Sequence, residues 1–255
     1  MSADSSDQIF AGHVAVVTGA GSGIGRATAV AFAEAGAQVL GVGRREGPLK
    51  ETAALHRGID ILAIDVCGEG APAEVIRTAI QRWGRIDHLI NNAGATAVMR
   101  LADTDERTIT NLLALNVVAP SLLAHAALPH LRETSGTIIN LSSTYGHRPM
   151  AGGAHYSASK AAIEQMTRSW ALELAEEGVR VNAVAPGPTR TDVMLRAGLT
   201  PEAADDMYGY ERERIPTHHI ASADEVAHWV LRMADPAGRH ATGQVITVDG
   251  GLELI

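Results

Sequence analysis

Tyr156 and Lys160 stand four residues apart in a stretch, 155–177, whose pattern predicts a helix, so both side chains leave the same face. A phenol titrates at about 10, too high to exchange protons readily at neutral pH. A nearby ammonium favours the phenolate and is expected to draw that value down. Placed so, Tyr156 can give a proton to a carbonyl oxygen or take one from an alcohol. The pair alone also arises by chance on helices. Upstream, Ser142, Ser143 and Thr144 close a strand-like run. A hydroxyl at a strand's carboxyl end can stabilise charge developing on a substrate oxygen, or simply form a turn.

A second group of residues suits an anion. Thr18-Gly19-Ala20-Gly21-Ser22-Gly23-Ile24-Gly25 lies between a strand signal at 13–17 and a helix signal at 23–35. Glycines let the backbone turn sharply and let a pyrophosphate approach the helix N-terminus, where free N–H groups and the helix dipole favour negative charge. Asp and Glu are absent from the turn. A glycine-rich turn with no ligand is the plainer reading, and the placement between strand and helix argues against it. The spacing Gly19-x3-Gly23-x-Gly25 is not the GxGxxG of ordinary dinucleotide folds.

That spacing, followed by Asn-Asn-Ala-Gly at 91–94, Ser143, Tyr156-x3-Lys160, Pro186-Gly187 and Thr242-Gly243-Gln244 with Val248-Asp249-Gly250-Gly251, resembles the short-chain dehydrogenase/reductase family. The likeness covers roughly residues 12–251 and the short single-domain, 3-oxoacyl-reductase-like branch. It implies a Rossmann-like sheet of about seven parallel strands, NAD or NADP as cofactor, and a homotetramer or homodimer. It implies hydride transfer between the nicotinamide and a ketone or secondary alcohol, with Tyr156 as general acid/base. Family spacing selects Ser143 among the three hydroxyls and gives Lys160 a second task on the nicotinamide ribose. Asn116 matches the helix asparagine that holds a water in a proton relay. Gly19, Ser22, Gly23, Ile24 and Gly25 correspond to the phosphate turn, Asp65 and Val66 to the adenine contacts. Asn92, Ala93 and Gly94 lie along the ribose. Pro186, Gly187, Thr189 and Thr191 correspond to the segment at the carboxamide and phosphates.

The end of the second strand signal, 39–42, discriminates between the nicotinamides. An acidic residue there binds the adenosine ribose hydroxyls and repels a 2′-phosphate. Here Gly43 is followed by Arg44 and Arg45. A guanidinium is forked and permanently charged, a good phosphate partner, so NADP is expected ahead of NAD.

The elements that must carry these groups alternate. Strand signals fall at 13–17, 39–42, 59–64, 86–90, 137–141, 179–184 and 244–248, and helical patterns near 71–83, 105–131, 155–177 and 223–233. Apolar strand runs separated by helices predict an α/β, doubly wound parallel sheet with helices on both faces. No linker or repeat divides the chain, so 11–255 reads as one domain after a disordered tail at 1–10. The stretch 187–221 carries no strand signal and reads as a substrate lid.

At 255 residues, 46% hydrophobic and 20% charged, the chain can bury a full core. Its formal charge of −8 and lack of a basic run argue against nucleic acid and anionic membranes. The single cysteine, Cys67, fits a reducing cytoplasm, excludes an internal disulfide, and follows an apolar run that suggests burial. Leu112–Pro129 is nearly continuous apolar sequence, but Asn116, Pro120, Ser121 and His125 interrupt it. A helix buried on several sides, with a subunit contact, is expected there rather than a membrane span.

No Gly-x-Ser-x-Gly follows a strand in the hydrolase frame. The eleven histidines lack metal-ligand spacing and read as surface or lid residues, with His147 and His155 near the substrate. Residues 94–100, 144–155 and 187–216 would wall the substrate, offering Met99, Tyr145, Met150, Met194, Leu195, Met207, Tyr208 and Tyr210. That lining suits an apolar small-molecule carbonyl or alcohol, though helical methionines also serve ordinary packing. The alternative function is a catalytically silent NADP-binding sensor or scaffold.

Overall fold

The computed structural model describes residues 8–191 and 200–255. β1 (Val14–Thr18) leads into α1 (Gly23–Glu34), β2 (Gln38–Gly43), α2 (Glu46–Ala53), β3 (Ile59–Ala63), α3 (Ala71–Trp83) and β4 (His88–Asn91). One long helix follows as α4 (Glu106–Leu113), a π-type turn at Ala114–Val118, and α5 (Ala119–Thr134). Then come β5 (Thr137–Leu141), α6 (Ala154–Leu174), β6 (Arg180–Pro186), the two-residue β7 (Thr189–Arg190), α7 (Pro201–Arg214), the equally short β8 (Ala221–Ser222), α8 (Ala223–Ala234) and β9 (Val245–Val248).

Seven strands form one parallel sheet in the order β3-β2-β1-β4-β5-β6-β9, as the unbroken apolar runs predict. Successive residues of a strand face opposite sides, so Ala15 and Val17 join one core and Val16 the other. The first core lies under α1 and α8, the second under α3, α5 and the end of α6. The order in which strands join the sheet reverses between β1 and β4, and the loops after these two strands open the crevice where open parallel sheets bind ligands.

Several expectations are corrected. Phe10, expected in the tail, is fully buried, 4.9 Å from the ring of Phe32. Cys67 is exposed, in the loop after an edge strand whose outer side is open; burial and Asp65 raise its thiol pKa, against a nucleophilic role. His88 is a core residue, hydrogen-bonded to His13 and Thr137 at 2.9 Å each, and burial holds it well below the usual imidazole range. The 106–134 helix is long and apolar enough to cross a membrane; it buries Leu123, Ala127 and Leu131 in the core, as a helix covered on several sides would, while Leu113, Val118 and Leu122 are 38–50% exposed. The stretch 187–221 contains β7, α7 and β8. Met194 and Leu195 lie outside the described residues.

Candidate active site

The phosphate turn is built for close approach. α1 starts at Gly23 behind an extended Ser22 whose hydroxyl makes no capping bond, and its first turn holds no acid. Its leading N–H groups therefore face the crevice. Gly19 adopts φ 71°, which favours glycine. A Cβ at Gly25 would collide with the Gly19 carbonyl and the Asn92 amide, and one at Gly23 would press on Thr191 at 3.1 Å. Ile24 turns its side chain into the core, leaving only its backbone to the turn.

Residues outside the motif brace this turn. Arg26 Nη2 donates to the Gly21 carbonyl at 2.8 Å and Thr52 Oγ1 to that of Ala20 at 2.9 Å. Thr18 Oγ1 accepts from the N–H groups of Asn92 and Ala93, 3.0 Å each, while Asn92 Nδ2 donates to the Thr18 carbonyl at 2.8 Å. The Asn92 side chain thus joins the ends of β1 and β4 rather than facing a ligand. Arg44, Arg45, Asp65, Val66, Ala93 and Gly94 line one cleft with Gly19 and Ser22. Arg44 reaches Asp65 at 3.8 Å with its side chain 72% exposed, so the guanidinium is accessible. A free helix N-terminus, a glycine floor and an exposed arginine at the far end fit a dinucleotide phosphate.

The second group of predicted residues gathers where β5, β6 and α6 meet. Of the three adjacent hydroxyls, Ser142 donates to Glu164 Oε1 at 2.9 Å and Thr144 to Asp249 Oδ2 at 3.0 Å. Ser143 is the one left toward Tyr156: its hydroxyl acts on the phenol and lies 3.4 Å from the Pro186 carbonyl. Lys160 Nζ sits 5.9 Å from the Tyr156 ring centroid and donates to the Leu141 carbonyl at 2.7 Å. A Cβ on Gly94 would stand 3.3 Å from Asn116 Oδ1 and 3.5 Å from Lys160 Nζ, so the cleft floor runs straight to the amine.

The electrostatics depart from expectation. The phenol of Tyr156 is raised, not lowered: burial dominates, Ser143 pulls against it, and Tyr145 adds to it. Burial brings Lys160 down to about 8, so this amine titrates near neutrality. Asn116, in the π-type turn, is buried and committed: Nδ2 donates to the Ala95 carbonyl (2.9 Å) and Ser159 Oγ (3.0 Å), and Oδ1 accepts from Ala95 N–H at 2.9 Å.

Two further sets of residues hold α6. Asn91 Nδ2 donates to Asn140 Oδ1, and Asn140 Nδ2 to Thr167 Oγ1 on α6, both at 2.9 Å and buried. His147 bridges Glu164 of α6 (2.9 Å) and Glu253 (2.6 Å), so it belongs to this brace and not to the substrate wall. Across the cleft, Gly187 packs on Asp249, and Thr189 and Thr191 receive α7 through the Tyr208 hydroxyl, 3.2–3.3 Å from their carbonyls.

Together these features define a nucleotide-binding α/β fold carrying a hydroxyl, a phenol and an amine at the carboxyl end of its sheet. A family model described as enoyl-(acyl carrier protein) reductase matches residues 19–253. The 3-oxoacyl-(acyl-carrier-protein) reductase of Thermotoga maritima is 35% identical over 95% of this chain and 98% of its own. The cis-4-hydroxycyclohexanecarboxylate dehydrogenase of Sinomonas cyclohexanicum is 36% identical over 97% and 99%. A Caenorhabditis elegans short-chain dehydrogenase/reductase of unknown function, solved with cofactor, superimposes with TM-score 0.91 at 31% identity, covering 97% of each chain. The chain belongs to the short-chain dehydrogenase/reductase family, whose members are NAD(P)-dependent oxidoreductases.

Proposed function

We propose that the protein is an NADP(H)-dependent oxidoreductase that interconverts a ketone and a secondary alcohol, with Tyr156 as general acid/base. The observation that carries this reading is the meeting of Ser143, Tyr156 and Lys160 at the end of the cleft floored by Gly94. A nicotinamide bound in that cleft supplies or accepts the hydride. Ser143 hydrogen-bonds the substrate oxygen, the one hydroxyl of its triplet not tied to a carboxylate. Tyr156 delivers the proton to that oxygen during reduction and takes it during oxidation. Lys160 orients the ribose and, charged, eases proton loss from a phenol that burial otherwise holds high. Asn116 fixes the Ala95 backbone, and with it the cleft floor beside Lys160. Arg44 and Arg45 favour NADP over NAD because nothing acidic occupies the end of β2. A second copy of the chain covers the exposed apolar residues of the 106–134 helix in a homodimer or homotetramer, and the protein acts in the cytoplasm on a small molecule.

The test is a ketone and alcohol panel run with both nicotinamides on the protein and on Tyr156→Phe. The substitution is expected to lower kcat by about 10²–10⁴-fold with NADPH affinity kept within a few-fold. Faster turnover with NADH than NADPH would overturn the cofactor assignment. Tight NADPH binding with no panel member turned over would favour the sensor reading.

A further inference from the structure

Ser143 is weakly anchored by its own bonds. Its hydroxyl accepts from the Tyr145 N–H at 3.3 Å and donates to the Pro186 carbonyl at 3.4 Å, both long. Where that oxygen stands is therefore set by the backbone around it, a tight turn at Thr144–Gly146 that Ser143 caps. The neighbours of Ser143 are tied down on two sides. On the α6 side, the buried Glu164 accepts from Ser142 Oγ at 2.9 Å, and a Cβ on Gly146 would collide with the same carboxylate, so the turn lies directly on it. On the other side stands the segment after β9. Asp249 Oδ2 accepts from Thr144 Oγ1 at 3.0 Å and from the Glu253 N–H at 2.8 Å, and the Ile255 carbonyl accepts from Arg148 Nη2 at 2.9 Å. His147 joins the two sides, with Nδ1 2.9 Å from Glu164 Oε1 and Nε2 2.6 Å from Glu253 Oε2. Glu253 is itself aimed: Thr247 Oγ1 donates to Oε2 at 2.9 Å, and the adjacent Leu252 is fully buried.

We infer that Glu253 is a positioning residue for the Ser143 hydroxyl, acting through His147 and the turn that His147 closes. This inference rests on the oxidoreductase reading, in which Ser143 holds the substrate oxygen beside Tyr156. Without Glu253, His147 keeps only its Glu164 contact, and the far half of the turn loses a bond to the segment after β9. The Ser143 oxygen, with only long bonds of its own, then drifts. A misplacement of about 1 Å in a group that must meet a reacting atom costs on the order of 10²-fold in rate. The nucleotide cleft from Gly19 to Gly94 shares no residue with this clamp, so the loss falls on turnover and spares cofactor binding.

The experiment compares the protein with Glu253→Ala, Glu253→Gln, Ser143→Ala and the double variant Ser143→Ala/Glu253→Ala. Kinetics are measured with NADPH and the fastest ketone of the panel above, with NADPH Kd and Tm as controls. Glu253→Ala is expected to lower kcat about 10–100-fold, with KM and NADPH Kd kept within a few-fold. Glu253→Gln, which still presents an acceptor or a donor to His147, recovers most of that loss. In the Ser143→Ala background the change at Glu253 costs almost nothing, because the hydroxyl it positions is gone. A second readout needs no turnover. In protein isotope-labelled at tyrosine Cζ, the Tyr156 resonance, assigned by Tyr156→Phe, moves with Ser143→Ala and in the same direction with Glu253→Ala. A kcat that falls equally with and without Ser143, a loss confined to Tm or NADPH Kd, or a Tyr156 resonance unmoved by Glu253→Ala overturns the inference and leaves the oxidoreductase reading in place. The expected resonance shifts with no ketone reduced uphold the inference and overturn that reading. Neither turnover nor a shift overturns both.

Discussion

The helix that carries Tyr156 and Lys160 and the helix that packs across the cleft from them are held in opposite ways. α6 is tied through buried polar bonds from three directions: the Asn91–Asn140–Thr167 ladder, Asn116 on Ser159, and Ser142 with His147 on Glu164. α7 is mostly exposed and rests on Tyr208, Ile215 and the Arg190–Asp205 ion pair. Rotation of α6 would leave buried donors unmatched at several points, whereas α7 can shift at the loss of a few part-buried contacts. The positions that the proposed proton transfer needs to hold still are fixed by the core, and the helix across the cleft is left adjustable.

Removing Lys160 tests the first half of that contrast most severely. Its amine is brought from 10.5 to about 8 in the folded protein, so between those values the folded state binds fewer protons and stability rises with pH. Below 8 the buried charge costs the fold in full, on the order of 3 kcal/mol before the bond to Leu141 is counted. Lys160→Met is therefore expected to abolish most activity, about 10³-fold or more, while thermal stability at pH 7 stays level or increases. A clear fall in Tm would show that the amine supports the fold.

Matched changes in the two regions sharpen the comparison. Asn140→Ala strands the buried Asn91 amide and leaves a gap beside Thr167, and is expected to cost about 2–4 kcal/mol by denaturant unfolding. Tyr208→Phe, which removes only part-buried bonds to backbone, is expected to cost under about 1 kcal/mol and to raise KM more than it lowers kcat. Equal losses of stability would erase the distinction drawn between the helices.

The smallest effect concerns His147. Burial alone would lower its pKa, yet the hydrogen bonds and charges of Glu164 and then Glu253 outweigh it, and the imidazole is raised above 6.5. Its folded value exceeds its unfolded one, so the stabilisation is complete below pH 6.5 and disappears as pH rises through the raised value. The Tm difference between the protein and His147→Gln is expected to be a few degrees in mild acid and to shrink toward zero in mild alkali. A difference constant with pH would remove the charge from the clamp.

Most of the sheet was legible because its strands are uninterrupted aliphatic runs, and 137–141 and 71–83 fall where the pattern sets them. The edges read less well: β3 exposes Asp60 and Ala63, and the same openness leaves Cys67 outside. α2 is short and carries Gly47-Pro48 in its first turn, which hides its period. α7 did carry a start signal, Thr200 capping Ala203 with Pro201 in the first turn, inside a stretch read as lid. The glycine turn, Ser143, Tyr156 and Lys160 were readable because spacing along the chain defines them. Their braces were not, since Asn140 and Thr167, or His147 and Glu253, meet only through the fold. Asn91, Asn140 and Asn182 inside apolar strand runs were the available hint. The direction of the Tyr156 and Lys160 shifts depends on burial, which spacing cannot supply.

The reversal of strand order between β1 and β4 also governs how the molecule assembles. The two lips of the nucleotide crevice are some seventy residues apart in the chain, joined where the Thr18 hydroxyl meets Asn92 and Ala93. A partly folded chain with only its first βαβ unit paired has one lip and nothing to grip. A dinucleotide is thus a late arrival that selects completed molecules, slowing their unfolding by mass action without hastening the slow, long-range closure that precedes it.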